Sequence, residues 1–532
     1  MFNLTEEQEG ILQLVRSKQH PFIKIEAVAG SGKSSTLDVI ARELNTKGEY
    51  LAFNKDIVQE ATQLFKGTNT NVVTTNAKAY KYVITKGLVD NGTAREKFIK
   101  LVKEYIPTFT LDKKYTQKYL SFNVKKIVPI KNTKALKYIE AEFDKFIKQK
   151  RELDVGFGFS SIREKLSSED KRLLLSLLEE FCNSKYLSLK DFLNKKDELR
   201  FLNIISKYLT KMANKEMKVP FVFNLKYYHI LLSKGLVPDE NLGLLMLDEF
   251  SDSSEVVLEI FNLIPAKQKV VAGDVHQSIN SFAYCVNGFR YFSMKGTTRT
   301  LSTSFRLPVN IAKDIEKFGQ EHLDCEFVFK GFDKPYPENP TTAYLCRTNA
   351  GLIKQMSELQ KKGIQYKLNR SVKLIFGLIK TLIYISPKNP IYNSKYKYLE
   401  ADIKQWNSYS SIRTQYKTLL NYIKMQHDDN VEIQSAISII MSQGRKEILD
   451  TLDRALAIEK RVKKAVFSIS TVHACKGRGY TEVYLNDDLD ISKILEIPND
   501  ERTLEEQEQV NLFYVACSRA THNLYNAKCL KV

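Results

Sequence analysis

The run AVAGSGKSS (residues 27–35) ends its glycine-rich half on Lys33 and Ser34. An ammonium and a hydroxyl placed behind two glycines are the groups that grip a polyphosphate and its divalent cation. Gly30 and Gly32 let the backbone curl so that successive N–H groups and a helix N-terminus face an anion. In that reading Ala27, Ala29, Gly30, Ser31, Gly32, Lys33, Ser34 and Ser35 form a nucleotide cradle. Lys33 reaches the β- and γ-phosphates of ATP, and the Ser34 hydroxyl ligates Mg²⁺. Ala27 stands where the common GxxxxGK[ST] pattern has glycine.

Two further stretches supply the groups that hydrolysis needs. In LLMLDEFSDSS (244–254), four apolar residues precede Asp248 and Glu249. Hydrolysis requires one carboxylate to hold the Mg²⁺ shell and another to orient or deprotonate water, which assigns Asp248 to the metal and Glu249 to the base. In VVAGDVHQSINSF (270–282), Gln277 carries an amide that can both accept from and donate to water or a γ-phosphate oxygen.

These residues need strand ends to carry them. FIKIE alternates before the loop, and STLDVIARELN after it has apolar residues at helical spacing, so the glycines fall in a strand-to-helix turn. Strand-like runs recur as FIKIEAV, YLAFN, NVVTT, LGLLMLDEF and KVVAGD, and later as TAYLCRTN, FSISTVH and TEVYLND. Short apolar runs of this kind suit parallel sheets covered by helices on both faces. The expected fold class is α/β, with two such units, each interrupted by a long lysine- and tyrosine-rich insertion, and a phosphate loop in the first only.

The formal charge of +19 over 532 residues favours an anionic polymer as partner over a small metabolite. Seven scattered cysteines without a CxxC pair argue against a zinc site or disulfide framework and for a reducing compartment. The N-terminus lacks a basic start followed by an apolar region, and VKLIFGLIKTLIYI (372–385) is broken by two lysines, so neither export signal nor membrane span is expected. The expectation is a cytoplasmic protein, nuclear in a eukaryote.

Taken in order, LTEEQ (4–8), AVAGSGKSS, LAFNK (51–55), TTNAKAY (74–80), DEFSD (248–252), GDVHQSINSF (273–282), STSFR (302–306), LCRTNA (345–350), STVHACKGRGY (470–480) and NLFYVACSRA (511–520) resemble the signatures of a superfamily 1 DNA helicase of the UvrD/Rep/PcrA type. The spacing is closest to the compact F-box DNA helicase branch. The resemblance implies two RecA-like P-loop domains, each with a largely helical accessory insertion: 1A at 1–84 and 216–300, 1B at 85–215, 2A at 301–370 and 463–532, and a small 2B at 371–462. It implies that Gln8 reads the adenine edge, though Thr5 and Gln8 also have the spacing of a helix capping box. It further implies that Arg306 and Arg519 act as arginine fingers from the second unit, making hydrolysis depend on closure. Single-stranded DNA would lie over both units, touching Phe53, Asn54, Lys55, Thr75 and His473 and stacking on Phe282.

The resemblance has departures. Ser251 stands where the family usually has glutamine, Gly479 where it has a ribose-contacting glutamate, Ala283 where arginine is common and Asn76 where histidine is frequent. Between Lys113 and Lys150, eleven lysines face three acids and interleave with six aromatics, which reads either as a strand- or duplex-binding surface or as a solvated helical face. The expected activity is ATP-dependent translocation on single-stranded DNA, 3′ to 5′ by resemblance, with unwinding at duplex junctions. The alternative is a nucleic-acid-stimulated ATPase that remodels protein–DNA complexes without unwinding, in a replication, recombination or defence assembly. RNA stays open as the track, since no residue singled out distinguishes a 2′-hydroxyl.

Overall fold

The computed structural model describes residues 4–52, 54–82, 164–213, 220–386, 391, 396, 399–409, 416–428, 430–462 and 466–530. In chain order its strands are β1 (Phe22–Ala27), β2 (Gly48–Ala52), β3 (Thr70–Thr74), β4 (Leu242–Leu247), β5 (Ser253–Ser254), β6 (Ala266–Gly273), β7 (Cys285–Val286) and β8 (Thr297–Leu301). Then follow β9 (Thr342–Cys346), β10 (Tyr366–Leu368), β11 (Phe467–Thr471), β12 (Tyr480–Leu485) and β13 (Ala520–Tyr525).

Six of them form a parallel sheet in the order β3-β2-β4-β6-β1-β8, and five form a second parallel sheet in the order β10-β11-β9-β12-β13. The fold is α/β with two RecA-like units and helical insertions. All eight strand-like runs of the sequence are strands. The structure adds β8, β10 and β13 to the two sheets, their sequences TTRTL, YKL and ATHNLY being too polar or too short to stand out, and the two-residue pair β5 and β7 apart from them.

The apolar runs explain the two covered faces. Along β4, Leu244 and Met246 enter the core that holds Ile25, Leu37 and Ile40, whereas Leu245 and Leu247 enter the opposite core with Leu231, Phe261 and Val271. A strand with both faces buried has no room for a polar residue until its end, and there the chain turns acidic. Because β4, β6 and β1 are neighbours, the phosphate loop, Asp248–Glu249 and Asp274–Gln277 all leave the sheet at adjacent carboxyl ends, where open α/β sheets bind ligands.

The helices Ser168–Asn183, Leu189–Lys195 and Leu202–Ala213 enclose an apolar cluster of their own around Leu177, Phe181, Phe192 and Ile205. The helices between 372 and 461 behave differently. Ile433, Ile437 and Ile440 of the long helix Val431–Arg461 share one continuous core with Ile353 and Met356 of the helix Asn349–Lys361 beside β9. The long helix bends at Gly444, where φ is 81°. VKLIFGLIKTLIYI folds as two short helices, Val372–Ile375 and Gly377–Ile383. Among the described residues no helix is long and apolar enough to cross a membrane.

Candidate functional site

After β1 the chain turns through the phosphate loop into the helix Lys33–Leu44, with Gly30 at φ 77° and Gly32 at φ 81°. Both values lie in the left-handed region that glycine enters without steric cost. A Cβ at Gly30 would also stand 2.5 Å from Cβ of Arg306, so the loop lies directly against the STSFR segment. The Phe305 N–H donates to the Gly30 carbonyl at 2.9 Å. Ala27 and Ala29 are buried and Ser35 is exposed. The Ser31 hydroxyl is buried and has no hydrogen-bond partner among the described residues. An orphan hydroxyl inside a loop of this curvature fits a phosphate oxygen.

The Ser34 hydroxyl donates to Asp248 Oδ2 at 3.0 Å, and the Tyr50 hydroxyl donates to the same oxygen at 2.5 Å. The Glu249 N–H donates to Asp248 Oδ1 at 2.8 Å. Burial, and then the charge of Glu249, push the Asp248 carboxyl above its usual range. A hydroxyl beside a buried carboxylate is an oxygen donor set suited to Mg²⁺. Glu249 itself sits at φ 53°, a strained position for a side-chain-bearing residue.

Lys476, from the ACKGRGY stretch of the second unit, closes the other side. Its Nζ lies 3.2 Å from Glu249 Oε2 and 2.6 Å from Asp252 Oδ2, and it donates to the Gln277 carbonyl at 2.8 Å. Burial alone would raise the Glu249 pKa, but Lys476 and Lys33 outweigh it and hold the carboxyl down to about 2. The same two acids raise the ammonium of Lys476 against the effect of its own burial. Lys476→Met strands two buried carboxylates and is expected to lower stability by about 3–5 kcal/mol at pH 7. Glu249 is depressed, so its share is fully present above an unfolded value of about 4.3 and disappears as pH falls through about 2. Lys476 is raised, so its share is present below about 10.4 and disappears at higher pH. Urea midpoints of both proteins at pH 7 and pH 3 check this; equal gaps at the two pH values would remove the ion pair as the cause.

Gln277 and the two arginines complete the ring. Gln277 Nε2 donates to Asp274 Oδ2 at 2.6 Å, and Arg519 Nη2 reaches Gln277 Oε1 at 3.4 Å. Arg519 is 1% exposed and gives its other donors to the Val515 and Arg478 carbonyls and the Ser518 hydroxyl. Arg306 donates to the carbonyls of Gly477 at 3.2 Å and Ser518 at 3.5 Å. Burial, and then the neighbouring Arg519, lower the Arg306 guanidinium to about 9. Neither arginine forms a salt bridge among the described residues. A buried and a half-buried guanidinium with only neutral acceptors are electrostatically incomplete, and an anion between them and the loop would complete them.

Gln8 sits at the far end of the loop, 7% exposed. The capping box exists: Thr5 N–H donates to Gln8 Oε1 at 3.0 Å and Gln8 N–H to Thr5 Oγ1 at 3.2 Å. Gln8 Nε2 also donates to Thr36 Oγ1 at 3.0 Å. One N–H and one lone pair of the amide are left over, the donor and acceptor that an adenine edge takes. Phe305, which the sequence reading did not single out, is on the same side: a Cβ at Gly32 would lie 3.6 Å from Gln8 Nε2 and 3.9 Å from two Phe305 ring carbons.

The remaining candidates spread over the carboxyl ends of both sheets. Asn54 caps the helix Lys55–Leu64 and is exposed, as is Lys55; Thr75 follows β3 and is 4% exposed. His473 follows β11, and its Nε2 lies 3.1 Å from the Ile279 carbonyl, with burial lowering its pKa. Phe53 lies outside the described residues, as does the lysine-rich stretch 113–150. The Phe282 backbone lies in the short turn Ser281–Ala283, and its side chain is outside the described set. At Gly479 a side chain would begin 3.5 Å from Arg306, so the missing glutamate leaves that guanidinium uncovered. Ser251 and Asn76 each bury an oxygen without a partner among the described residues, and Ala283 is exposed.

A family model described as the UvrD-like helicase C-terminal domain matches residues 161–531. No curated protein matches the chain.

Proposed function

From the premise that the chain belongs to the UvrD-like helicase family, we propose that it is an ATP hydrolase that moves along single-stranded DNA, 3′ to 5′, and separates duplex at the junction. The observation that carries this is the cleft itself: the loop, Asp248, Glu249 and Gln277 of one unit face Arg306, Lys476 and Arg519 of the other. A site assembled from two bodies turns over only when they approach, and that dependence is what converts hydrolysis into displacement.

In this reading the loop N–H groups, the Ser31 hydroxyl and Lys33 hold the triphosphate, and Gln8 with Phe305 holds the base. Ser34 and Asp248 hold Mg²⁺, which neutralises phosphate charge when bound. Glu249 takes the proton of the attacking water, Gln277 orients that water, and Arg306 and Arg519 meet the charge that grows on the γ-phosphoryl oxygens. Asn54, Lys55 and His473 line the strand track, to which the resemblance also assigns Phe53, Phe282 and Thr75, though Thr75 is buried here and reaches a strand only if the segment after β3 opens. The 1A, 1B, 2A and 2B division given above, the assignment to superfamily 1A and the F-box-like branch belong to the same proposal.

Steady-state hydrolysis with and without single-stranded DNA or RNA, beside Lys33→Ala, is the first test. Single-stranded DNA is expected to stimulate turnover and Lys33→Ala to abolish it, a loss of about 100-fold or more. Rates that ignore both polymers overturn the translocase reading. If DNA stimulates hydrolysis but neither 3′- nor 5′-tailed duplexes are unwound, the protein-remodelling ATPase replaces it.

A further inference from the structure

The helix Leu504–Cys517 of the second unit lays three polar side chains, at a spacing of three, along the loop that follows β6. Glu508 accepts from the Ser281 N–H at 3.1 Å, and Asn511 Nδ2 donates to the Ser278 carbonyl at 3.1 Å. Tyr514 reaches deepest: its hydroxyl donates to Asp274 Oδ2 at 2.8 Å and accepts the Ala29 N–H of the phosphate loop at 3.3 Å. The same carboxylate oxygen accepts Gln277 Nε2 at 2.6 Å, while Gln277 Oε1 points to Arg519 at 3.4 Å. One phenol therefore links the loop to the Asp274–Gln277 pair.

The chemistry of this chain is directional. An ionised carboxylate only accepts, so it fixes the amide of Gln277 with nitrogen toward Asp274 and oxygen toward the cleft. An attacking water needs an acceptor for its hydrogen and a free lone pair for phosphorus. The amide oxygen supplies the first and spares the second, whereas a reversed amide would occupy the lone pair. Tyr514 supplies the second side-chain donor to that buried carboxylate oxygen, and without it the carboxylate is held on that side by the Gln277 amide alone, so that acid and amide can turn together.

We propose that Tyr514 is a positioning residue for hydrolysis: through Asp274 it sets which end of the Gln277 amide faces the cleft, and through the Ala29 N–H it ties that choice to the phosphate loop. The proposal rests on the reading of Gln277 as the residue that orients water. The phenol ring is packed edge-on against Phe327, Phe329 and His276. Tyr514→Phe keeps those contacts and removes the hydroxyl alone.

The test is a double-mutant cycle on the full chain with saturating single-stranded DNA, read by single-turnover hydrolysis, by kcat and KM for ATP, and by thermal unfolding. Tyr514→Phe is expected to lower kcat about tenfold with KM for ATP within about twofold. Gln277→Ala lowers the rate about 100-fold. In the Gln277→Ala background, Tyr514→Phe is expected to cost less than about twofold, because its route to the chemistry is gone. Asp274→Asn, whose amide can donate to Gln277 Oε1, lowers kcat at least as far and carries the cycle if Tyr514→Phe does not fold. Wild-type kcat in Tyr514→Phe overturns the inference, and so does an equal loss in both backgrounds or a loss confined to KM. A Gln277→Ala protein with full turnover overturns the role of Gln277 and this inference with it; an impaired Gln277→Ala beside a normal Tyr514→Phe overturns the inference alone.

Discussion

Glu249→Gln is expected to lower steady-state ATP turnover about 1,000-fold while ATP binding and strand binding persist. The substitution keeps the shape of the side chain and removes only its ability to take a proton. A carboxyl held down to about 2 is ionised throughout the physiological range, yet it is a weak base for the same reason. The first of the two ammoniums responsible, Lys476, sits on the other unit, 3.2 Å away. The basicity of Glu249 therefore depends on a contact from the second unit. Rapid-quench hydrolysis and equilibrium binding of a fluorescent ATP analogue separate the two steps. Residual turnover above about a tenth of wild type would sink the assignment of Glu249 as base.

Arg519→Ala is expected to lose about 1,000-fold or more in kcat with nucleotide affinity changed by less than about tenfold. Arg519 comes from the second unit, is buried, and faces Gln277 without a carboxylate ion pair among the described residues. In the proposed mechanism its guanidinium acts on charge that develops during transfer rather than on the ground-state nucleotide. Arg519→Lys keeps the charge but loses the fork, and is expected to recover only a small part of the rate. An unchanged kcat in Arg519→Ala would remove the residue from the chemistry. A large loss of ATP affinity with kcat intact would recast it as a binding group.

What the sequence made legible follows its locality. The phosphate loop, LLMLDEF and KVVAGD each carry strand, turn and polar group within about a dozen residues, and these segments fold as expected. Motif order then carried Arg306 and Arg519 to the cleft, because a resemblance spans distances that periodicity does not. Lys476 and Tyr514 escaped singling out although both stand inside quoted motifs. Their significance lies in partners, Glu249 and Asp274, that are brought near only by the docking of the second unit. Gln8 shows the converse: its capping box was visible in LTEEQ and is present, while its place beside Gly32 and Phe305 was not. The strands β8, β10 and β13 hid because edge strands carry weak apolar signals.

The core that joins Ile353 and Met356 to Ile433 and Ile440 has no seam between the second sheet and the helices inserted into it. That combined body meets the helix Ser168–Asn183 at Asp402, where a buried carboxylate accepts from Arg172 at 3.0 Å and contacts His427 at 2.9 Å. Breaking the Arg172 link would leave the buried carboxylate with the His427 ring, while the half-exposed guanidinium could turn to water. Asp402 therefore ties the helix Ser168–Asn183 to the body built on the second sheet, so the two are linked by a charge as well as through the chain.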